Sequence, residues 1–176
     1  MQNVALKEEK AFSEYPIIKF VGSDLRNRLK KMKPFMSTDD TRYYLKGIYF
    51  KFADLELTLC ATNGHILQEQ IFEVQAELSP EYGKSFELIC PSSAIEHLIR
   101  IIPTKDEACL TMQVIDDGKY IRFDFFEFEY ITATIDATYP DYNKVVPQGN
   151  VSLQSGLNAS YLISALAALN NSAVNI

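Results

Sequence analysis

The chain has 176 residues, of which 47% are apolar and 23% are charged, a composition typical of a globular domain with its own core. No apolar run approaches the ~20 residues that span a bilayer, and the N-terminal residues lack the apolar stretch of a secretory signal. These features exclude disordered, membrane and secreted classes and favour a cytoplasmic protein.

The net charge of −6 is distributed unevenly along the chain. Between Lys19 and Lys51, nine basic residues stand against three acidic ones, so this segment carries +6 and the remainder carries −12. An acidic body with one basic region suits a protein that touches a polyanion, such as nucleic acid, on one face. The alternative is an ordinary solvated helix that is rich in lysine.

The first half of the chain predicts the order strand, helix, strand, strand, strand. A strand is expected at 16–21, and the spacing of Leu25, Leu29 and Met32 predicts an amphipathic helix that ends near a proline. An Asn-Gly pair at 63–64 favours a two-residue hairpin turn. The three strands of this half are predicted at 42–52, 55–62 and 65–74.

The same order recurs in the second half of the chain. A strand is predicted at 85–90, and apolar residues at helical spacing between 95 and 102 predict a second helix. Three further strands are predicted at 108–115, 119–126 and 129–135. A duplicated β-α-β-β-β unit indicates an α+β domain in which two helices pack on antiparallel sheets.

The residue types that carry catalysis or bind metals are sparse. His65 and His97 have no second ligand at metal spacing, and neither a Gly-rich phosphate loop nor a Gly-x-Ser-x-Gly motif is present. Cys60, Cys90 and Cys109 lie in apolar runs and are expected to be reduced thiols in the core. We therefore predict no cofactor, no metal and no catalytic site, and keep an unrelated small enzyme as an alternative.

Three segments together carry a family resemblance. They are DDTRYYLKGI at 39–48, ATNGH at 61–65 and YPDYNKVVP at 139–147. In order and spacing they resemble D-x-R-Y-Y-L-N-G, A-T-D-G-H and (F/Y)-P-D-Y-x-x-V-(L/I)-P of the middle domain of the bacterial DNA polymerase III sliding clamp, the beta subunit. The resemblance implies the DNA-clamp fold.

The resemblance also implies a division of the chain. Residues 1–15 are expected to be an N-terminal extension, 16–147 a clamp-like middle domain, and 148–176 a linker with part of a third domain. The segment 156–166 resembles a helix from the second half of the clamp's third domain. The chain therefore resembles a truncated clamp.

Proteins of the clamp family form rings whose central hole is lined by helices rich in Lys and Arg. These side chains attract the phosphates of duplex DNA without reading its bases. In this sequence the resemblance assigns DNA binding to the cations of the first helix and to a basic, aromatic run after it. For the two tyrosines, the alternative is that they are ordinary strand residues. The predicted DNA-binding residues are Arg26, Arg28, Lys30, Lys31, Lys33, Arg42, Tyr43 and Tyr44.

The family docks short peptides of polymerases and clamp loaders in an apolar pocket between its middle and third domains. Ile66 stands where the family usually has Arg, and the wall supplied by the third domain is expected to be missing. A plain hairpin turn at 63–65 is the alternative role for that segment. The predicted peptide-binding residues are Leu45, Thr62, Gly64, His65, Leu67 and Pro147.

The resemblance implies a non-catalytic processivity factor that tethers a DNA polymerase to duplex DNA without sequence preference. Its partners would be duplex DNA, peptides of the polymerase and of the clamp loader, and other copies paired through sheet edges. The alternative is a regulatory or decoy protein that binds clamp partners without encircling DNA.

Overall fold

The computed structural model describes residues 15–77, 85–104, 109–125, 128–145 and 158–169. The strands of this part are β1 Ile17–Val21, β2 Gly47–Ala53, β3 Glu56–Thr62, β4 Leu67–Glu73, β5 Gln75–Glu77, β6 Phe86–Pro91, β7 Cys109–Ile115, β8 Tyr120–Phe125 and β9 Phe128–Ala133. The α-helices are α1 Gly22–Met32, α2 Ser92–Ile101 and α3 Ala159–Leu169, and short 3₁₀ helices lie at Lys33–Phe35, Asp40–Leu45 and Tyr142–Lys144. None of the helices described is long and apolar enough to cross a membrane.

The two predicted units are interlocked through their first strands. One sheet has the order β5-β1-β7-β8-β9 and the other has the order β4-β3-β2-β6. Strand β1 of the first unit pairs antiparallel with β7 of the second, and β6 of the second unit pairs with β2 of the first. The duplicated β-α-β-β-β order is confirmed, with β5 as an additional strand.

Both sheets and both helices of the repeat share one apolar core. Leu25, Leu29 and Met32 of α1 are fully buried, as their spacing predicts, and so are Ile95 and Leu98 of α2. Burial of each such side chain stabilises the fold by about 1.5–3 kcal/mol. The two helices therefore lie on the same core, next to each other, and direct their polar faces to solvent.

The two sheets are joined at both flanks. Strands β4 and β5 are separated only by Val74, whose amide donates to the carbonyl oxygen of Leu55 at 2.9 Å. At the opposite flank, just after β9, the amide of Ile135 donates to the carbonyl oxygen of Ile89 in β6, also at 2.9 Å. Among the described strands, β5 and β9 end one sheet and β4 and β6 end the other.

The strand predicted at 42–52 is wrong over its first residues, because Asp40–Leu45 forms a 3₁₀ helix and β2 begins at Gly47. The Asp39 carboxylate accepts hydrogen bonds from the amide and the hydroxyl of Thr41, at 2.9 and 2.7 Å, and so starts the helix. The tyrosine-rich composition favours a strand, but this local capping overrides that preference.

Two other expectations also differ from the structure. Thr62 pairs with Leu67, so the hairpin predicted at Asn63–Gly64 has a four-residue loop, 63–66, instead of a two-residue turn. Cys60 and Cys90 are buried, but Cys109 is exposed because it lies on the outward face of β7. The remaining predicted strands are confirmed with small shifts at their ends.

Candidate functional site

Two of the predicted DNA-binding cations join α1 to α2. Arg26 Nε donates to the carbonyl oxygen of Ile99 at 2.8 Å. Lys33 Nζ lies 2.9 Å from Glu96 Oε1, and the hydrogen bond from this ammonium lowers the pKa of Glu96 below its usual range. Arg26 and Lys33 therefore have partners within the protein that hold the two helices side by side.

Arg28 is directed toward the sheet. Its guanidinium carbon lies 3.8 Å from the centre of the Phe72 ring, and Nε lies 2.8 Å from Asp24 Oδ2. Nη1 also donates to Gln70 Oε1 at 3.4 Å. The Arg28 guanidinium thus lies against β4, and its charge is partly neutralised by Asp24.

Lys30 and Lys31 are different, since neither makes an ion pair or a side-chain hydrogen bond within the part of the chain that the structure describes. Lys30 is exposed and Lys31 is half-buried. Both lie away from the buried stripe of α1, because successive residues turn by about 100° around a helix. Of the four cations on α1 and Lys33 just after it, these two have the charge most available to a phosphate.

The 3₁₀ helix Asp40–Leu45 carries the other three predicted DNA-binding residues. Tyr43 is 54% exposed, whereas Tyr44 is half-buried and packs against an apolar cluster. The two rings meet edge to face, with centroids 5.8 Å apart. Arg42 Nη1 donates to the backbone carbonyl oxygen of Asn63 at 3.3 Å, so this side chain faces the hairpin loop.

The 63–66 loop is held by two side chains, that of Thr62 at the end of β3 and that of Asn63 in the loop itself. The Thr62 hydroxyl donates to the carbonyl oxygen of Ile66 at 2.8 Å and accepts from the amide of Gly64 at 3.1 Å. Asn63 Oδ1 accepts from the amides of His65 and Ile66, at 2.9 and 3.1 Å. Thr62 therefore shapes the loop, and His65 is presented to solvent at its tip.

An apolar cluster supports this loop from behind. Leu45 is only 4% exposed and shares the cluster with Tyr49 and Tyr139, whose rings stack with centroids 4.8 Å apart. Leu67 is partly buried against the same cluster. Leu45 is thus part of the interior, and Leu67 contributes the apolar surface that a ligand can reach.

Tyr139 and Tyr142 belong to the 139–147 motif but are not among the predicted site residues. Tyr142 donates its hydroxyl to Glu69 Oε1 of β4 at 2.6 Å, and Tyr139 stacks on β2. The pair fastens the chain after β9 across the outer face of the β4-β3-β2-β6 sheet. Burial raises the pKa of both hydroxyls, so they remain protonated. Pro147 lies outside the described residues.

Helix α3 reaches the loop through one aromatic contact. The Tyr161 ring stacks on His65, with centroids 5.4 Å apart and planes 14° from parallel. Ala168 is buried and Ala165 packs against the core, whereas Leu162 and Leu166 are exposed. The structure therefore brings Leu45, Thr62, Gly64, His65 and Leu67 together around one loop, with Tyr161 at its rim.

In the described ranges, no group of three or more His, Cys, Asp or Glu side chains is placed to hold a metal ion. Burial also raises the pKa of the Cys60 thiol to about 12, which keeps it protonated and unreactive. The chemistry that the arrangement supports is binding: ammonium groups on a helix, and an apolar and aromatic rim around a fixed loop.

Comparison with known proteins gives a consistent result. Residues 21–141 match the family model for the central domain of the DNA polymerase III beta subunit. The chain is 26% identical to the beta sliding clamp of Vibrio cholerae over 135 residues, which are 76% of this chain and 35% of that protein. It is 28% identical to the beta sliding clamp of Rickettsia bellii over 125 residues, 70% of this chain and 32% of that protein.

Among solved structures, the crystal structure of the DNA polymerase III subunit beta from Pseudomonas aeruginosa superposes with a TM-score of 0.66 at 26% identity. The match covers 76% of this chain and 34% of that one. The chain therefore spans about a third of the length of the relatives it matches.

Proposed function

Because this chain belongs to the DNA polymerase III beta subunit family, matching its central domain, we propose that it is a non-catalytic sliding-clamp module. In this role it tethers a polymerase to duplex DNA and docks the short peptides by which partners attach to clamps. The observation that carries the proposal is that Tyr161 of α3 stacks on His65 of the 63–66 loop, which Leu67 follows at the start of β4.

The DNA half of the proposal rests on Lys30 and Lys31. Each can release one condensed counterion by contacting a phosphate, and neither reads a base, so binding would be weak and independent of sequence. The exposed ring of Tyr43 adds a face on which an unpaired base can stack. The net charge of −6 discourages DNA from binding elsewhere on the protein.

Binding of a labelled duplex over a range of salt concentrations tests this half. Reversal of both charges, in the double variant Lys30→Glu with Lys31→Glu, should abolish DNA binding. In the wild type, the logarithm of the affinity should fall with the logarithm of the salt concentration, with a slope of about 0.9 per phosphate contacted. The matched control reverses Lys119 and Lys144, which are exposed in the turn between β7 and β8 and in the 3₁₀ helix Tyr142–Lys144. Equal binding by both double variants at low salt would contradict a DNA-binding role for α1.

The peptide half is tested by titrating a labelled peptide that carries a Gln followed by a Leu and an aromatic residue. Leu67→Asp should weaken binding at least tenfold, because it places a charge in the apolar rim. Ile71→Asp is the matched control, since Ile71 lies on the same strand and is 56% exposed. Leu45→Asp is unsuitable, because Leu45 is buried and its loss would disturb the fold.

A regulatory protein that binds clamp partners without encircling DNA is the second candidate. It is favoured by one observation: Arg26, Arg28 and Lys33 are already engaged within the protein, which leaves Lys30 and Lys31 as the cations of α1 without a partner in the described part of the chain. Peptide binding by a chain that shows no salt-dependent DNA affinity would select this candidate.

A further inference from the structure

We propose that Arg42 is a positioning residue for the peptide site, which holds the 63–66 loop in place, and that it is not a DNA contact. The inference rests on the proposed peptide-docking function, and it assigns Arg42 to a different site from the one that the sequence indicates. Three observations support it: two contacts of the guanidinium and its position beside Gly64.

The first two contacts fix the guanidinium between two elements. Nη1 donates to the carbonyl oxygen of Asn63 at 3.3 Å, at the start of the loop. Nε lies 3.5 Å from Asp39 Oδ2, the carboxylate that also begins the 3₁₀ helix Asp40–Leu45. The side chain thus links the helix that carries Leu45 to the loop that carries His65.

The third observation is the short distance between the guanidinium and Gly64. Gly64 has φ +88°, and a Cβ built on it would lie 2.5 Å from Arg42 Nη1. The space beside the Gly64 backbone is therefore filled by the guanidinium of Arg42. Gly64, which the resemblance places among the peptide-binding residues, therefore borders a side chain of the protein itself.

The loop needs this support because its other hydrogen bonds are local. The amides of residues 64–66 are satisfied by Thr62 and Asn63 within the same hairpin. Arg42 is a neighbour from a separate element, 21 residues earlier in the chain, and it orients the loop relative to Leu45. A planar guanidinium can serve two acceptors in fixed directions, which an ammonium cannot do in the same way.

This difference between Arg and Lys gives a discriminating experiment on the full chain. Arg42→Ala and Arg42→Lys should both increase amide hydrogen exchange at His65 and Ile66. Both should also lower the affinity for the labelled peptide by about tenfold. Duplex DNA affinity should change little in either variant. Lys46→Ala is the matched control: Lys46 follows the same 3₁₀ helix, but its ammonium pairs with Asp40.

Gly64→Ala supplies a second measurement. The added methyl group displaces the guanidinium, so in the wild-type background it should loosen the loop as Arg42→Ala does. In the Arg42→Ala background, Gly64→Ala should increase the hydrogen exchange of the loop less. There the methyl group has no guanidinium to displace, and only the strain of the positive φ at residue 64 remains.

Each outcome decides the inference. Faster exchange of the loop amides in both Arg42 variants supports the inference. If the wild type binds no peptide, that result rejects the proposed peptide-docking function but leaves the positioning role of Arg42 standing. Unchanged loop exchange, or DNA binding that Arg42→Ala abolishes and Arg42→Lys restores, would overturn it in favour of a phosphate contact.

Discussion

Tyr161 and His65 lie ring on ring, with centroids 5.4 Å apart, although they belong to a helix and a hairpin loop far apart in the chain. His65 remains exposed in spite of this contact. The tyrosine therefore borders the candidate peptide site and leaves it open. We therefore infer that α3 forms a wall of the site and does not cover it.

We accordingly expect Tyr161→Ala to weaken binding of the labelled peptide about three- to tenfold, the contribution of one aromatic contact. Removal of the chain from Gly149 onward should weaken it at least as much. Titration of both variants beside Tyr120→Ala, a change at an exposed ring on β8, measures the effect. Tighter binding after either change would mean that α3 covers the site.

Self-association is expected to occur through β4 and β9, each of which is one of the two edge strands of its sheet in the described chain. Each presents an exposed apolar residue, Ile71 on β4 and Ile131 on β9. Since a lysine on an edge strand opposes pairing with another chain, Ile71→Lys and Ile131→Lys should each lower the association constant.

Sedimentation at increasing protein concentration measures this association. Val145→Lys is the control, because Val145 is 71% exposed and lies outside the strands. A monomer at every concentration for the unmodified chain would show that these edges do not pair by themselves.

The three cysteines should differ strongly in reactivity. Burial raises the pKa of Cys60 to about 12 and also raises the pKa of Cys90, so both stay protonated at neutral pH, whereas Cys109 is exposed. A thiol reagent should label one cysteine rapidly and the other two only on unfolding. Cys109→Ser should remove the fast phase, and its persistence in that variant would contradict the burial of Cys60 and Cys90.

Stability should depend on pH through Asp39. Hydrogen bonds from Thr41 lower the pKa of this carboxyl below its usual range, so the ionised form stabilises the fold at neutral pH. This contribution is present above the unfolded pKa and is lost as the pH falls through the lower, folded one. Asp39→Asn imitates the protonated form.

The free energy of unfolding should therefore be higher in the wild type than in Asp39→Asn at neutral pH, by a small amount because the group is exposed. The difference should vanish in acid. Denaturant titrations of the two proteins across this range measure it, and a difference that grows on acidification would show the opposite linkage.

The spacing of apolar residues along the sequence predicts those helices and strands whose formation depends on neighbouring residues alone. The spacing of Leu25, Leu29 and Met32 was sufficient for α1, because one face of a helix must be buried. The same reasoning failed at Tyr43 and Tyr44, where strand propensity was weaker than the hydrogen bonds of one aspartate.

The candidate sites were harder to predict, because their geometry depends on contacts between distant residues. Arg26 was expected to face DNA, yet its partner Ile99 is 73 residues away and belongs to the other unit. The orientation of Arg42 toward Asn63 likewise requires the loop to have folded first. Residue type and spacing do not contain this information.

The exchange of first strands between the two units has a consequence for how the molecule comes apart. Removal of β1 would open the β5-β1-β7-β8-β9 sheet between β5 and β7, although β7 belongs to the other half. Neither half contains a complete sheet of its own, so we expect the domain to fold and unfold as one cooperative unit. Its folding requires chain segments about 90 residues apart to meet, as in the pairing of Ile18 with Met112, and such distant pairings slow folding.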